Sequence, residues 1–289
     1  MKKMQAALGW SVAAAASVIL TLTGCGAEDT DAASDVEDTE DQAIINGIQG
    51  GGNGAVQLGG CSGSLIGTHM VITAAHCFDK VMGTGSDATV NLRVSWAAAD
   101  GTWRCMTGTP AVGKCTEARF VRVHRLSGSR PENDLAAVFP DGPPGTSWSN
   151  VTADNALGGM YSGPINVGAP YTVWGRGFDN ANRTGNGVMR YLTDTIDRVE
   201  SESFGTNGGK IRVCAGDSGG PYLLRDIGQW QFGIHSSSGR EEDEGCAPTG
   251  TNIRASRITP FKVNAINLAR IGEGLPECTE RSPSFWVCS

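Results

Sequence analysis

The 289-residue chain carries 23 basic and 30 acidic residues, 41 glycines, and only 7% aromatic and 18% charged residues. That balance suits a loop-rich β protein better than a helical one, and no basic tract suggests a nucleic-acid partner. The acidic excess is concentrated, since Glu28, Asp29, Asp31, Asp35, Glu37, Asp38, Glu40 and Asp41 crowd residues 26–43 without one Lys or Arg.

Lys2-Lys3 followed by an apolar run from Trp10 to Leu22 has the layout of a signal peptide over residues 1–24. The run is too short to span a bilayer comfortably. Leu22-Thr23-Gly24-Cys25 resembles the bacterial lipobox, which implies cleavage before Cys25 and a lipid on its sulfur. Ordinary cleavage after Ala27 is the alternative. Residues 26–43 lack large apolar groups and cannot bury enough surface to fold, so they read as a solvated propeptide or tether. The folded part is expected to begin at Ile44 and run to residue 289. It is long enough for one large β domain or two small lobes.

Within that part, Gly47 to Gly54 superficially suggests a phosphate-binding loop, but it lacks the Gly-Lys-Ser/Thr ending and reads as a surface connection. Val90, Leu92 and Val94 alternate with polar residues as in a half-buried strand. Further strands are expected at Met70–Thr73, Phe120–His124, Tyr171–Trp174, Ile211–Cys214, Tyr222–Leu224 and Trp230–Ile234. Asp141-Gly142-Pro143-Pro144-Gly145 is the strongest break in the middle and marks the expected crossover between lobes. One helix is clear, about 259–271: Thr259 can cap it, Pro260 fits its first turn, and Gly272 can end it. Phe261, Ala265 and Leu268 share one of its faces. The tail over 272–289 holds Cys278 and Cys288, expected to close a small disulfide loop.

Nine cysteines stand at 25, 61, 77, 105, 115, 214, 246, 278 and 288. Without Cys25 they make four potential pairs, and behind an export signal they read as a disulfide framework. None is spaced tightly enough for a CxxC-type zinc site. No metal or cofactor is expected.

The most specific segment is Cys214-Ala215-Gly216-Asp217-Ser218-Gly219-Gly220-Pro221. Gly-Asp-Ser-Gly-Gly also fits the GxSxG elbow of α/β-hydrolases, but those need an acid and then a His after the Ser. The only later His is His235, too close for the intervening elements. Upstream lie His76, in Thr-Ala-Ala-His-Cys, and Asp134, in Asn-Asp-Leu-Ala. With Cys61-Ser62-Gly63-Ser64-Leu65-Ile66 and the order His, Asp, Ser, the chain resembles the trypsin/chymotrypsin family (peptidase family S1) from Ile44 to near Ala269.

That resemblance implies an all-β fold of two packed six-stranded antiparallel barrels with a C-terminal helix. It implies an endopeptidase acting on proteins or peptides through His76, Asp134 and Ser218. The N–H groups of Gly216 and Ser218 would form the oxyanion hole, and Cys61 would pair with Cys77. Ile44-Ile45-Asn46-Gly47 resembles the start of mature family members, implying a zymogen cut before Ile44 by an activating protease, with the new α-amino group paired to Asp217. Ala43 makes a trypsin-like activator unfavourable. By the same resemblance the primary pocket involves Arg212, His235, Ser236, Ser238 and Gly250. His235-Ser236 is similar to glutamyl endopeptidases, so an acidic side chain is one expectation. A small or apolar pocket, with Arg212 paired to the acidic run Glu241 to Glu244, is the other. The product is expected to be a monomer, secreted or held in the cell envelope, touching membrane only through Cys25. The competing reading is a catalytically silent envelope protein that binds through the same surface.

Overall fold

The structure is a computed structural model. It describes residues 44, 47–50, 54–98, 103–106, 115, 118–127, 131–177, 189–207, 213–227, 230–237 and 252–289. The signal, lipidation and tether expectations at residues 1–43 lie outside the described residues, as do Arg212, Ser238, Cys246 and Gly250.

The strands in chain order are β1 (Ile48–Gln49), β2 (Ala55–Leu58), β3 (Cys61–Ile66), β4 (Met70–Thr73), β5 (Asp87–Leu92), β6 (Val94–Ala97), β7 (Trp103–Cys105), β8 (Arg119–Arg125) and β9 (Ala136–Pro140). They continue with β10 (Gly159–Tyr161), β11 (Pro170–Gly175), β12 (Arg190–Thr195), β13 (Arg198–Val199), β14 (Ser203–Asn207), β15 (Pro221–Leu224), β16 (Trp230–Ser237), β17 (Asn252–Arg257), β18 (Thr279–Ser282) and β19 (Phe285–Val287). A single helical turn, α1 (Asp79–Met82), and one long helix, α2 (Pro260–Gly272), complete the elements used below.

They form two curled sheets. The first has eight strands in the order β5-β8-β9-β4-β3-β2-β6-β7, all antiparallel. The second has eleven, running β1-β12-β11-β15-β16-β10-β19-β18 with β17, β14 and β13 joined on at β16. The two-sheet, trypsin-like architecture agrees with the expectation. The strand counts exceed six per sheet: short strands such as β7, β1 and β13 add to the sheets, and the C-terminal hairpin adds two strands to the second. One pairing, β10 with β16, is parallel. Apart from β1, which pairs with β12 in the second sheet, the crossover falls where the turn-rich break lies: β9 ends the first sheet's strands at Pro140, and β10 resumes the second sheet at Gly159.

Strands buried on both faces mark where the sheets meet. In β4, Val71 points into the core of the first sheet, while Met70 and Ile72 point into a second cluster shared by both sheets. β9 repeats this with Ala136 and Val138 on one side and Ala137 and Phe139 on the other. Such two-sided burial is why Met70-Val71-Ile72 is an unbroken apolar run. In the second sheet, Phe232 faces an aromatic core with Tyr171, Phe204 and Tyr222, and Ile234 faces the shared cluster.

Two expectations need correction. Val90, Leu92 and Val94 do not share one strand, because Arg93 separates β5 from β6. Val213 and Cys214 are in no strand, since Cys214 leads directly into the turn of Ser218.

The helix itself lies where expected, but its apolar stripe faces the wrong way. Phe261 and Leu268 are 70% and 71% exposed, whereas Lys262, Val263, Ile266, Asn267, Ala269 and Arg270 are buried. Periodicity identifies a face without saying which face meets the core. Here the inward face carries polar groups whose hydrogen bonds are made internally: Cys278 N–H donates to Asn267 Oδ1, and Arg270 Nε donates to Pro276 O. Nor does Thr259 cap through its side chain, as its hydroxyl donates to Glu202 instead. At the far end, Glu273 accepts from His124 Nε2 at 2.6 Å and Arg122 Nη2 at 2.7 Å, tying α2 to β8 of the first sheet.

The tail is a hairpin, β18–β19, closed by the Cys278–Cys288 disulfide and laid antiparallel on β10. Gly159 permits that contact. At φ +152°, a Cβ there would sit 2.1 Å from Trp286 O. Gly159→Ala is therefore expected to destabilise by about 2–3 kcal/mol, read from urea unfolding. Gly168→Ala, at φ +84° with nothing within 4 Å of the added methyl, should cost clearly less.

Candidate active site

β4 ends at Thr73, and a 3-10 turn over Ala75–Phe78 lifts His76 off the end of the strand. Cys77 is bonded to Cys61 at the start of β3 and fixes one side of this turn. On the other side, Arg125 reaches Asp79 Oδ1 at 2.6 Å and Gly83 O at 2.8 Å, holding α1 and the loop behind it.

Asp134 lies between a 3-10 turn over Pro131–Asn133 and β9, and none of its surface is exposed. Its carboxylate accepts three hydrogen bonds. The backbone N–H of His76 donates at 2.9 Å, the His76 ring lies with Nδ1 at 2.5 Å, and Ser236 Oγ donates at 2.5 Å. A carboxylate offers only acceptors, so the His76 proton sits on Nδ1 and leaves Nε2 with a lone pair.

Ser236 was expected to wall the substrate pocket. Its hydroxyl is instead committed to Asp134. The residue type gave no hint of this, because the assignment depends on how β16 faces the loop after Pro131–Asn133.

Ser218 sits in a turn that needs glycine at two positions. Gly216 and Gly219 take φ +94° and +85°, and a Cβ at Gly219 would lie 2.1 Å from Thr73 Oγ1 and 2.2 Å from Ser62 O. The turn closes on itself through Asp217 N to Cys214 O at 3.0 Å and Gly220 N to Asp217 O at 2.9 Å. It is fastened to both sheets: Gly219 N donates to His235 O, Ser62 N to Ser218 O, and Ser62 Oγ to Gly216 O, each at 2.8 Å. Cys77 Sγ lies 3.9 Å from Ser218 O, so the backbone of Ser218 rests against the bridge adjoining His76. Among the described residues, the N–H groups of Gly216 and Ser218 donate to no protein acceptor. Both residues are partly exposed, while Asp134 and Asp217 are wholly covered.

Asp217 is the second buried carboxyl. Gly177 N donates to it at 2.5 Å and Cys214 N at 2.8 Å. Burial pushes this carboxyl well above the usual carboxylate range, against the opposing hydrogen bonds from the N–H groups of Cys214 and Ile44. Ile44 is itself fully buried, so the structure brings the two members of the expected activation pair together. Gly175 and Gly177 form the wall of this site. A Cβ at either would run into the Asp217 carboxyl group. Nothing but their glycine identity, in Trp174-Gly175-Arg176-Gly177, marked them in the sequence.

Of the expected pocket residues, His235 alone keeps an open role among the described residues. It is 2% exposed, and its Nδ1 lies 3.4 Å from the Tyr222 hydroxyl. Burial, and then the charge of His76, push its ring down to about 3, with Asp134 opposing. It is therefore a neutral imidazole in this site.

Three disulfides are described, Cys61–Cys77, Cys105–Cys115 and Cys278–Cys288. Cys214 is also disulfide-bonded, to a partner outside the described residues. Among the described residues, no group of three or more His, Cys, Asp or Glu could hold a metal ion. No helix there is long and apolar enough to cross a membrane.

The family described as Trypsin matches residues 46–262. Mouse complement factor I is 26% identical over 184 residues, covering 58% of this chain and 28% of that protein, so the chain spans well under a third of that relative's length. The family match takes in His76, Asp134 and Ser218 and covers well over half of the sequence: this chain belongs to the trypsin family.

Proposed function

We propose that this protein is a serine endopeptidase that cuts protein substrates through His76, Asp134 and Ser218. One observation carries the reading. Asp134, with no exposed surface, is held by the His76 ring, the His76 backbone and Ser236, on a turn whose disulfide touches Ser218. A serine hydroxyl is a weak nucleophile without a base. His76 Nε2 takes its proton as Ser218 Oγ attacks the substrate carbonyl carbon, and Asp134 stabilises the resulting imidazolium. The N–H groups of Gly216 and Ser218 receive the oxyanion, each contributing about 3 kcal/mol in comparable sites. The imidazolium then protonates the leaving amine, and water hydrolyses the acyl-enzyme by the same steps in reverse. In protein cut to begin at Ile44, a serine-directed fluorophosphonate should label Ser218 and should not label Ser218→Ala, which should lose at least about 10³-fold in kcat. Cut protein that is neither labelled nor active would favour the silent binding protein instead.

The reading extends to maturation. The chain is exported, tethered through Cys25 and residues 26–43, and activated by a cut before Ile44. Its several disulfides suit an oxidising compartment. Asp217 supports the cut at Ile44. In the uncut chain it is a fully buried carboxyl facing neutral N–H groups, and a freed α-ammonium at Ile44 would supply the missing charge. The sign of the linkage follows. A carboxyl held above its usual range keeps a proton in the folded uncut chain that the unfolded chain has released. Stability therefore falls as pH rises from about 4 towards the raised value. Thermal unfolding of uncut Ser218→Ala should show this loss, and the same protein cut to begin at Ile44 should show much less of it.

For specificity we favour an acidic side chain before the scissile bond. His235, held neutral beside Tyr222, would in the tautomer that accepts from the Tyr222 hydroxyl at Nδ1 carry its hydrogen on Nε2 as a donor to a carboxylate, and Arg212 would supply the charge. Peptide-library cleavage by protein beginning at Ile44 should favour Glu or Asp at that position. A preference for small or apolar residues would overturn this part alone.

A further inference from the structure

Lys262 is a charged residue on the inward face of α2, and it is 1% exposed. A buried ammonium is costly unless its protons are taken up. Here they are. Nζ donates to Glu132 O at 2.7 Å, Arg257 O at 2.8 Å, Ser256 Oγ at 3.0 Å and Glu202 O at 3.2 Å, with Glu202 Oε2 at 3.3 Å. All these partners are oxygens, as an ammonium requires.

One of them stands out. Glu132 O belongs to the 3-10 turn Pro131–Asn133, two residues before Asp134. Lys262 thus fastens the main chain that presents Asp134 to β17 and to the connection between β13 and β14. It also places a positive charge near Asp134: burial disfavours the charged form of Lys262 and holds its ammonium below the usual lysine range, while Glu202, and to a smaller degree Asp134, support the charge.

Resting on the triad reading above, we infer that Lys262 is a positioning residue for Asp134: it sets the acid's backbone and moderates the field that Asp134 exerts on the His76 ring. The titratable and charged groups around this cluster are Glu132 on the 3-10 turn, Glu202 between β13 and β14, Arg257 at the end of β17, and His76 and His235 across Asp134. Removing the cation leaves the Asp134 field on His76 less offset. The imidazolium is then favoured, and the acid limb of the pH–rate profile moves to higher pH.

The test uses protein beginning at Ile44. In Lys262→Met, kcat should fall on the order of tenfold with KM little changed, and the acid-limb midpoint should rise by about half a unit. Lys262→Arg, which keeps the charge, should restore the midpoint. A folded Lys262→Met, judged by near-UV circular dichroism, with wild-type kcat and midpoint would overturn the inference. Should Lys262→Met fail to fold, Glu202→Gln decides. It removes a partly exposed anion beside Lys262 and should move the midpoint the other way, to lower pH. An unmoved midpoint there would equally overturn the inference. A wild type that neither turns over substrate nor labels at Ser218 would instead sink the protease reading itself.

Discussion

A carboxylate taken fully out of water is tolerable only if other groups replace the hydration it loses. Asp134 has no exposed surface, and its replacements come from distant parts of the chain: the turn after β4 through His76, and β16 through Ser236. From behind, α2 holds the Pro131–Asn133 turn that precedes Asp134, through Lys262 and Glu132 O. Its donors stand on two elements, one in each sheet, so the solvation of Asp134 requires the two sheets to be docked. The site is a product of the seam between the lobes rather than of either lobe.

Asp217 poses the same problem and meets a different solution. Its described donors are main-chain N–H groups, from Gly177, Cys214 and Ile44. These bring dipoles but no opposing charge, and the carboxyl is pushed upward accordingly. Asp134 has an imidazole and a nearby ammonium; Asp217 has neither. Two buried carboxyls lie within one site, one with an imidazole bonded to it and a cation nearby, the other with neither among its described partners. That asymmetry is what the proposed cut before Ile44 would relieve. It also explains the glycines at 175 and 177, because a compact wall of backbone is the only way to bring so many amides around a single carboxyl group.

Much of this was legible in the sequence where a residue's role is local. The turn at Gly216 to Gly219 needs positive φ at two positions, and glycine announces it. The runs at Met70–Thr73 and Trp230–Ile234 are apolar because both faces are buried, and they became β4 and part of β16. The break at Asp141 to Gly145 became the exit from the first sheet. What failed to show was direction. Nothing in Phe261, Ala265 and Leu268 says that their face would be left outside. Nothing local marks Lys262 as buried, because the five oxygens that receive it come from three other segments, up to 130 residues away. Ser236 looked like pocket lining because neighbours in a strand face opposite sides, and a sequence does not say which side Asp134 will occupy.

The misread helix and the seam are one problem. An outward apolar stripe lowers what α2 gains from hydrophobic burial, so its docking leans on polar contacts that are specific in place and direction. Lys262 holds the Asp134 turn from its first end, and Glu273 holds Arg122 and His124 of the first sheet from its last. Between them, Val263 and Ile266 fill the cluster shared by both sheets. An apolar helix could slide along such a cluster at little cost, because apolar contact is not directional. A helix pinned by charged hydrogen bonds at both ends cannot do so without leaving buried charges unpaired. The polar inward face is therefore what fixes the register of the two lobes. The alignment of His76 on β4's turn with Ser236 on β16 depends on that register.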